Sequence, residues 1–363
     1  MSGWSLLGNF ARAPVATVDR TGGVTPAGSY YTLRWAVGDE LGWSRPEQPR
    51  SASAVVQRRT HRGGAPLIET TMAVAGGDVV VRTYAAVDSS GHDVVAIDFD
   101  NRGAIPVAVA LLVDPQTPAG DGSLGRIELR PPQIVLADGV VARSSRPWLA
   151  SAVSAEGVWD AVASGSVRTH APVVNEDSAG RLHAAVVMTV PHRTSWRVVI
   201  SREPTGAQAT ADYETIVRGW DALTKQAMRV RSPVDAFDRT CAAAVVDCGL
   251  HARRGGLDAA SRAFAAGVVA QWGVADVAAL DELGAEVRFL ARRSHNDLTL
   301  STIAAWTWAC GHVVSLSATR AVDQLAAPLL DDLAEYADVM SRAATRRWRR
   351  PSPTTSAALG AGL

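Results

Sequence analysis

The side chains in this chain best suited to chemistry are tryptophans and the polar groups beside them. Eleven tryptophans stand against five tyrosines and five phenylalanines. An indole offers both a large apolar area and a flat face that stacks on a sugar ring. Trp35 precedes, and Trp43 lies within, Gly38-Asp-Glu-Leu-Gly-Trp-Ser-Arg-Pro46, which also holds Asp39 and Glu40. Such a loop can serve as a sugar-stacking lip or can anchor itself to a sheet. Trp306 and Trp308 lie in Thr302-Ile-Ala-Ala-Trp-Thr-Trp-Ala-Cys-Gly-His312, whose terminal imidazole can act as a base or sit hydrogen-bonded in a core. Asp98 and Asp100, at i and i+2 on an alternating apolar stretch, share a strand face pointing away from the apolar side, so they are expected on a solvated face.

Other chemistries have no legible motif. No G-x-G-x-x-G is read after a strand, and there is no P-loop, H-E-x-x-H or G-x-S-x-G elbow. The eight histidines are scattered without ligand spacing, so neither a metal site nor a cofactor is expected. Cys241, Cys248 and Cys310 are odd in number and lack C-x-x-C spacing, which predicts reduced thiols acting as small hydrophobes. Lys+Arg and Asp+Glu are equal at 36 each, which leaves no basic field for nucleic acid. No window holds the roughly 20 unbroken apolar residues of a membrane span. The N-terminus lacks a charged region followed by an apolar run. Together these point to a cytoplasmic protein with no nucleic-acid or membrane partner.

The elements that must position these residues divide in two. Residues 1–205 carry period-2 patterns separated by short turns, as in Asp93-Val-Val-Ala-Ile-Asp-Phe-Asp100, with strands also expected at 30–37, 79–87, 106–113, 126–130, 133–136, 184–190 and 195–201. Many short strands at even spacing predict a large antiparallel β-sandwich. The first thirty residues, rich in Gly, Pro, Thr and Ser, are expected to drape over its surface or pair loosely. Residues 206–231 form a linker with a connecting helix carrying Ile216, Trp220 and Leu223 on one stripe. Residues 232–349 then read as about five helices in antiparallel hairpins. Ser232 and Pro233 are expected to open the first, Asp276 to cap the third, and Pro328 to open the fifth. Residues 350–363 read as a disordered tail. The fold class expected is therefore multidomain α+β.

Two stretches carry a family resemblance. Asp93-Val-Val-Ala-Ile-Asp-Phe-Asp-Asn-Arg-Gly-Ala-Ile-Pro-Val107 resembles a sandwich strand pair, and Ala304 to His312 with Ala321 to Tyr336 is similar to an inner and an outer helix, of six-hairpin glycosidases. These (α/α)6-barrel carbohydrate-active proteins carry an N-terminal β-sandwich. The resemblance implies a partial (α/α)6 toroid, because twelve helices complete such a barrel and about five are legible here. Glycoside hydrolysis ordinarily needs a general acid and an opposing carboxylate, roughly 5 to 9.5 Å apart. No family motif transfers residue by residue. The candidate carboxylates are Asp297, in the loop Ser294-His-Asn-Asp297 and equally able to cap the next helix, and Glu282 and Glu286 upstream. The candidate ligand-binding residues are Trp35, Trp43, Trp306, Trp308, His312 and His295.

The expected function is a non-catalytic or degenerate glycosidase-like protein that binds a glycan or a protein. One alternative is an active carbohydrate hydrolase or phosphorylase completed by oligomerisation. The other is a structural interaction module. An incomplete barrel leaves apolar helix faces open, which calls for a homo-oligomer or partner protein over them.

Overall fold

The computed structural model describes residues 4–10, 12–49, 55–59, 64–117, 120–168, 172–202, 210–225, 227–228, 231–255, 257–274, 277–293 and 297–316. The chain resolves into two compact units. One comprises residues 1–9, 14–61 and 65–218, the other residues 10–13, 62–64 and 219–363.

The first unit is built from antiparallel strands. In chain order they begin with β1 (Trp4–Leu7), β2 (Ala16–Asp19), β3 (Val24–Pro26), β4 (Thr32–Asp39) and β5 (Gly42–Ser44). Next come β6 (Val55–Arg59), β7 (Ile68–Val74), β8 (Gly77–Val87), β9 (Asp93–Asn101) and β10 (Val107–Asp114). A two-stranded ribbon, β11 (Gln116–Thr117) and β12 (Gly120–Asp121), precedes β13 (Arg126–Arg130), β14 (Gln133–Leu136), β15 (Val141–Ser144) and β16 (Ala150–Ser154). A short helix, α1 (Trp159–Ala163), leads to β17 (Val173–Glu176), β18 (His183–Val190) and β19 (Ser195–Ser201). The eight-stranded sheet runs β1-β2-β3-β4-β10-β18-β16, with β5 paired to β4. The nine-stranded sheet runs β17-β13-β14-β15-β19-β9-β8-β7-β6.

Alternation along the strands places one face of each sheet in a shared core. Trp35, from the eight-stranded sheet, meets Phe99 of the other sheet edge-on at 6.1 Å, and Phe99 stacks on Trp196 at 5.2 Å. The first thirty residues do not drape: β1, β2 and β3 are integral to the sheet, and Leu7, Ala16, Val18 and Val24 are core residues. Gly8, Pro14, Gly22, Gly23 and Gly28 lie between the strands, while Pro26 ends β3. Asp98 is not solvated either, being only 7% exposed. The register sets it between Arg82 on β8 and Arg197 on β19. Arg197 donates to its two oxygens at 2.5 and 2.7 Å, and the Tyr84 hydroxyl donates at 2.9 Å. Helix α2 (Tyr213–Thr224) begins over this face, with the Tyr213 ring 5.0 Å from the Arg82 guanidinium and 5.8 Å from the Tyr84 ring. Alternation locates the face of a side chain but not what covers that face.

The second unit holds the end of α2 with α3 (Asp235–Ala252), α4 (Ala259–Gln271), α5 (Val277–Arg293) and α6 (Asp297–Leu316). Ser232 does not cap α3 as expected. The helix begins at Asp235, and its N-cap position, Val234, offers no side-chain acceptor. Ser232 instead receives the Val234 N–H on its Oγ, and its own N–H donates to Asp238. Asp258 does cap α4, accepting from the Ser261 N–H at 2.9 Å. Gly64 (φ +76°) lies so near α3 that a Cβ there would sit 2.3 Å from the Ala242 carbonyl carbon, a place that admits only glycine. Asp276, the fifth helix from Pro328 and the tail lie outside the described residues, as does any continuation toward a toroid. Among the described residues no helix is long and apolar enough to cross a membrane.

Candidate functional site

The outer face of the eight-stranded sheet carries a ledge of planar side chains. Its floor is made of small residues: Ala36, Ala110 and Ala185 are buried there with Leu112, Val158 and Val162, and Trp43 and Trp159 pack against them. Trp43 pairs across the strands with Gly38. A Cβ on Gly38 would lie 2.9, 2.9 and 3.1 Å from Trp43 Cδ2, Cε2 and Cε3. Near-equal distances to three ring atoms mean that the indole lies flat over the glycine, so its exposed area faces away from the sheet. Two residues on, the Arg45 guanidinium covers the Trp159 ring at 4.2 Å from the centroid, a cation–π contact. Arg45 Nη2 also donates to Gln48 Oε1 at 2.5 Å.

The segment bearing this ledge is pinned from several sides. Asp39 accepts the Leu41 N–H at 2.9 Å and the Ala75 N–H at 2.8 Å. Arg34, on the same face of β4 as Gly38, donates to Glu47 at 2.8 Å and to Asp19 at 3.2 Å. Burial works against the Arg34 charge, but the Glu47 hydrogen bond and the nearby carboxylates outweigh it and raise its pKa. The result is one flat apolar face with a guanidinium and an amide held at fixed positions, which suits a ring with apolar C–H faces and equatorial hydroxyls.

The other expected site residues are not gathered around this ledge. Trp35 is 1% exposed inside the sandwich; the alternation that puts Gly38 outside puts Trp35 inside, so it cannot stack on a ligand from solvent. Trp306 is likewise core: it is 2% exposed and its indole N–H donates to the Leu280 carbonyl at 2.9 Å. Trp308 is half-buried against Phe264 at 5.2 Å and against His312 at 4.7 Å. His312 is half-buried, with its Nε2 3.0 Å from Gln271 Nε2. Glu282 pairs with Arg253 at 2.8 Å and Glu286 with Arg262 at 3.1 Å, one turn apart on α5. The Asp297 backbone opens α6; its side chain and all of His295 lie outside the described residues. Among the described residues no group of three potential ligands could hold a metal. The spacing G-x-G-x-x-G does occur at Gly120–Gly125, but it leads into strand β13 and not a helix, so it forms no phosphate cradle.

Sequence reasoning missed Arg45, Gln48 and Trp159. The available signal was the alternation Trp43, Arg45 on an edge hairpin; Trp159 is more than a hundred residues away and carried none. It also missed a cavity of about 220 Å³ in the helical unit, walled by Phe10, Trp220, Trp272 and α3. Cys310, buried in α6, has its thiol pushed up to about 12 by desolvation, as a structural cysteine should.

No family model and no curated protein sequence matches this chain. Among solved structures, a GH92 family glycosyl hydrolase (ccman5) is similar at 11% identity and a TM-score of 0.37, over 93% of this chain and 62% of that one. A protein from the human microbiome assigned as a kojibiose phosphorylase is similar at 10% identity and a TM-score of 0.32, over 65% of this chain and 35% of that one. This chain thus spans less than two thirds of either structure, and likeness at these scores settles neither family nor activity.

Proposed function

We propose that this protein is glycosidase-like in architecture and acts by holding a glycan on the Trp43 ledge without cleaving it. The observation that carries the reading is the Trp43 indole lying flat over Gly38 with Arg45 and Gln48 fixed beside it. Free thiols at Cys241, Cys248 and Cys310 fit action in a reducing, cytoplasmic compartment. Glu282 and Glu286 serve in this reading as ion-pair partners of α5, not as an acid and base.

The test is a thermal-shift screen of the full chain against α- and β-linked oligosaccharides, with released sugar assayed in the same samples. A ligand bound only by the folded state raises Tm. Stabilisation without release is expected, and Trp43→Ala should weaken the best glycan about tenfold, near 1.4 kcal/mol, while Trp43→Phe keeps most of the affinity. Sugar release would restore Asp297, Glu282 and Glu286 as catalytic candidates and end the non-catalytic reading. No shift with any glycan would end the carbohydrate reading altogether.

A second reading has its own observation. Val234 and Phe237, at the start of α3, are 58% and 54% exposed, an apolar pair of the kind that protein interfaces bury. A concentration-dependent oligomer in light scattering, abolished by Phe237→Glu, is the outcome that would favour an interaction module.

A further inference from the structure

The helical unit's cavity has a chemistry that the glycan reading leaves unused. It holds about 220 Å³, more than the roughly 150 Å³ apolar cavity that takes one benzene molecule, and less than the pockets of about 300 Å³ and above that take drug-sized ligands. Three aromatic side chains contribute to its wall, Phe10, Trp220 and Trp272, with Phe10 and Trp220 edge-to-face at 6.4 Å. Two carboxylates also line it, Asp221 and Asp238, and among the described residues no Lys, Arg or His does.

We propose that this cavity is a binding site for a small organic ammonium ion, with the aromatic wall taking its alkyl groups and the carboxylates its charge. Ring faces attract cations through their quadrupole, most strongly when the ion is desolvated. Among the described lining residues the charged groups are carboxylates, and a carboxylate on an apolar wall favours a cation over a neutral molecule of the same shape, since a neutral ligand gains the apolar contact alone. A sugar is poorly served here: few hydroxyl partners line the wall, and each buried hydroxyl left unpaired opposes binding. A carboxylate or phosphate ligand would meet like charge. Asp238 is held in place by the Ser232 N–H at 2.8 Å, so the negative charge is positioned before any ligand arrives.

The test compares choline with its neutral isostere, 3,3-dimethylbutan-1-ol, on the full chain, by Tm and by tryptophan fluorescence. Choline should raise Tm in a saturable way, and the isostere should bind about tenfold more weakly or worse, consistent with the strength of a desolvated cation–π contact. Asp238→Asn and Trp272→Leu should each weaken choline several-fold, while Trp43→Ala leaves it unchanged, which separates this site from the glycan ledge. Cys241 lines the cavity, so the unmodified protein gives a second readout that needs no variant. Saturating choline should slow alkylation of Cys241, followed by peptide mass spectrometry, without slowing that of Cys248. Equal binding of the two isosteres would overturn the proposal, as would a choline shift with Cys241 unprotected or no shift at all.

Discussion

The sandwich and the helical unit both seat large indoles, and they make room for them by opposite means. Among the described residues, four of the 36 buried in the sandwich core are alanine, whereas in the main helical core nine of 16 are. Facing sheets stand about 10 Å apart, which leaves room for side chains from both sides to interdigitate. Trp35, Phe99 and Trp196 fill that space in a row. Alanine-rich helices approach more closely, so a tryptophan fits only where the opposing helix has no side chain. A Cβ on Gly284 would come 2.9 Å from Trp306 Cζ2, and one on Gly267 would come 2.3 Å from Trp308 Cζ3. The Trp43 ledge borrows the helical solution on a sheet surface, with Gly38 as its seat. An indole inside a filled core is structural; one laid on a glycine at the surface keeps a face available.

The largest expected effect tests whether the two cores are equally tight. Trp35→Ala and Trp306→Ala should each cost about 3 to 5 kcal/mol, the usual range for emptying a buried aromatic site, read from denaturant midpoints. A loss under about 1 kcal/mol for Trp306 would mean that the alanine-rich helices close over the gap, and the contrast would sharpen.

The glycine seats give the next test. Gly267→Ala gains about 1 kcal/mol of helix propensity but forces a methyl group into Trp308 and toward Ala309, 3.1 Å from the new Cβ. Overpacking of that kind costs about 1 to 3 kcal/mol, so the net change should be destabilising. Gly311, within α6, has nothing within 4 Å of its would-be Cβ, and Gly311→Ala should stabilise by up to about 1 kcal/mol. If both substitutions moved stability the same way, seating would not be what Gly267 does.

The smallest effect appears only in alkali and belongs to the sandwich. Burial, with Asp138 beside Tyr31 and Asp98 beside Tyr84, raises both phenol pKa values above their ordinary range. A folded-state pKa raised above the unfolded value of about 10 leaves stability unaffected below pH 10 and removes it above, by about 1.4 kcal/mol per pH unit for each tyrosine. Urea midpoints should therefore be flat to about pH 9.5 and fall beyond it, and Tyr84→Phe should make the fall shallower. A decline beginning near neutral pH would show that other groups control it.

Much of the fold was legible because its signals are local. Period-2 alternation in Asp93–Asp100 and the apolar run ending at Val113 mark strands without knowledge of their partners, and the apolar stripes through Val245, Leu283 and Cys310 mark helices in the same way. The N-terminal strands were not legible, since Gly, Pro and Thr dominate their turns and each strand is only three or four residues long. The candidate site was half legible. Trp43 stood out by type and by its loop, but Trp159, Arg45 and Gln48 acquire meaning only beside it.

By itself, then, the sequence determined where the longer strands and the apolar helices lie and that Cys241, Cys248 and Cys310 are free thiols. These follow from periodicity, composition and count, which need no neighbour. Only the tertiary structure decided that Trp35 is core and Trp43 surface, that Asp98 lies under Arg197 and Tyr84, and that Glu282 and Glu286 are ion-paired. Each of those depends on what stands opposite a side chain, and strand pairing and helix packing bring residues tens to more than a hundred positions apart into that place. Trp43 and Trp35 are the same residue type eight positions apart; the even spacing would put both on one face of an unbroken strand, and the hairpin that folds β5 back onto β4 puts them on opposite faces.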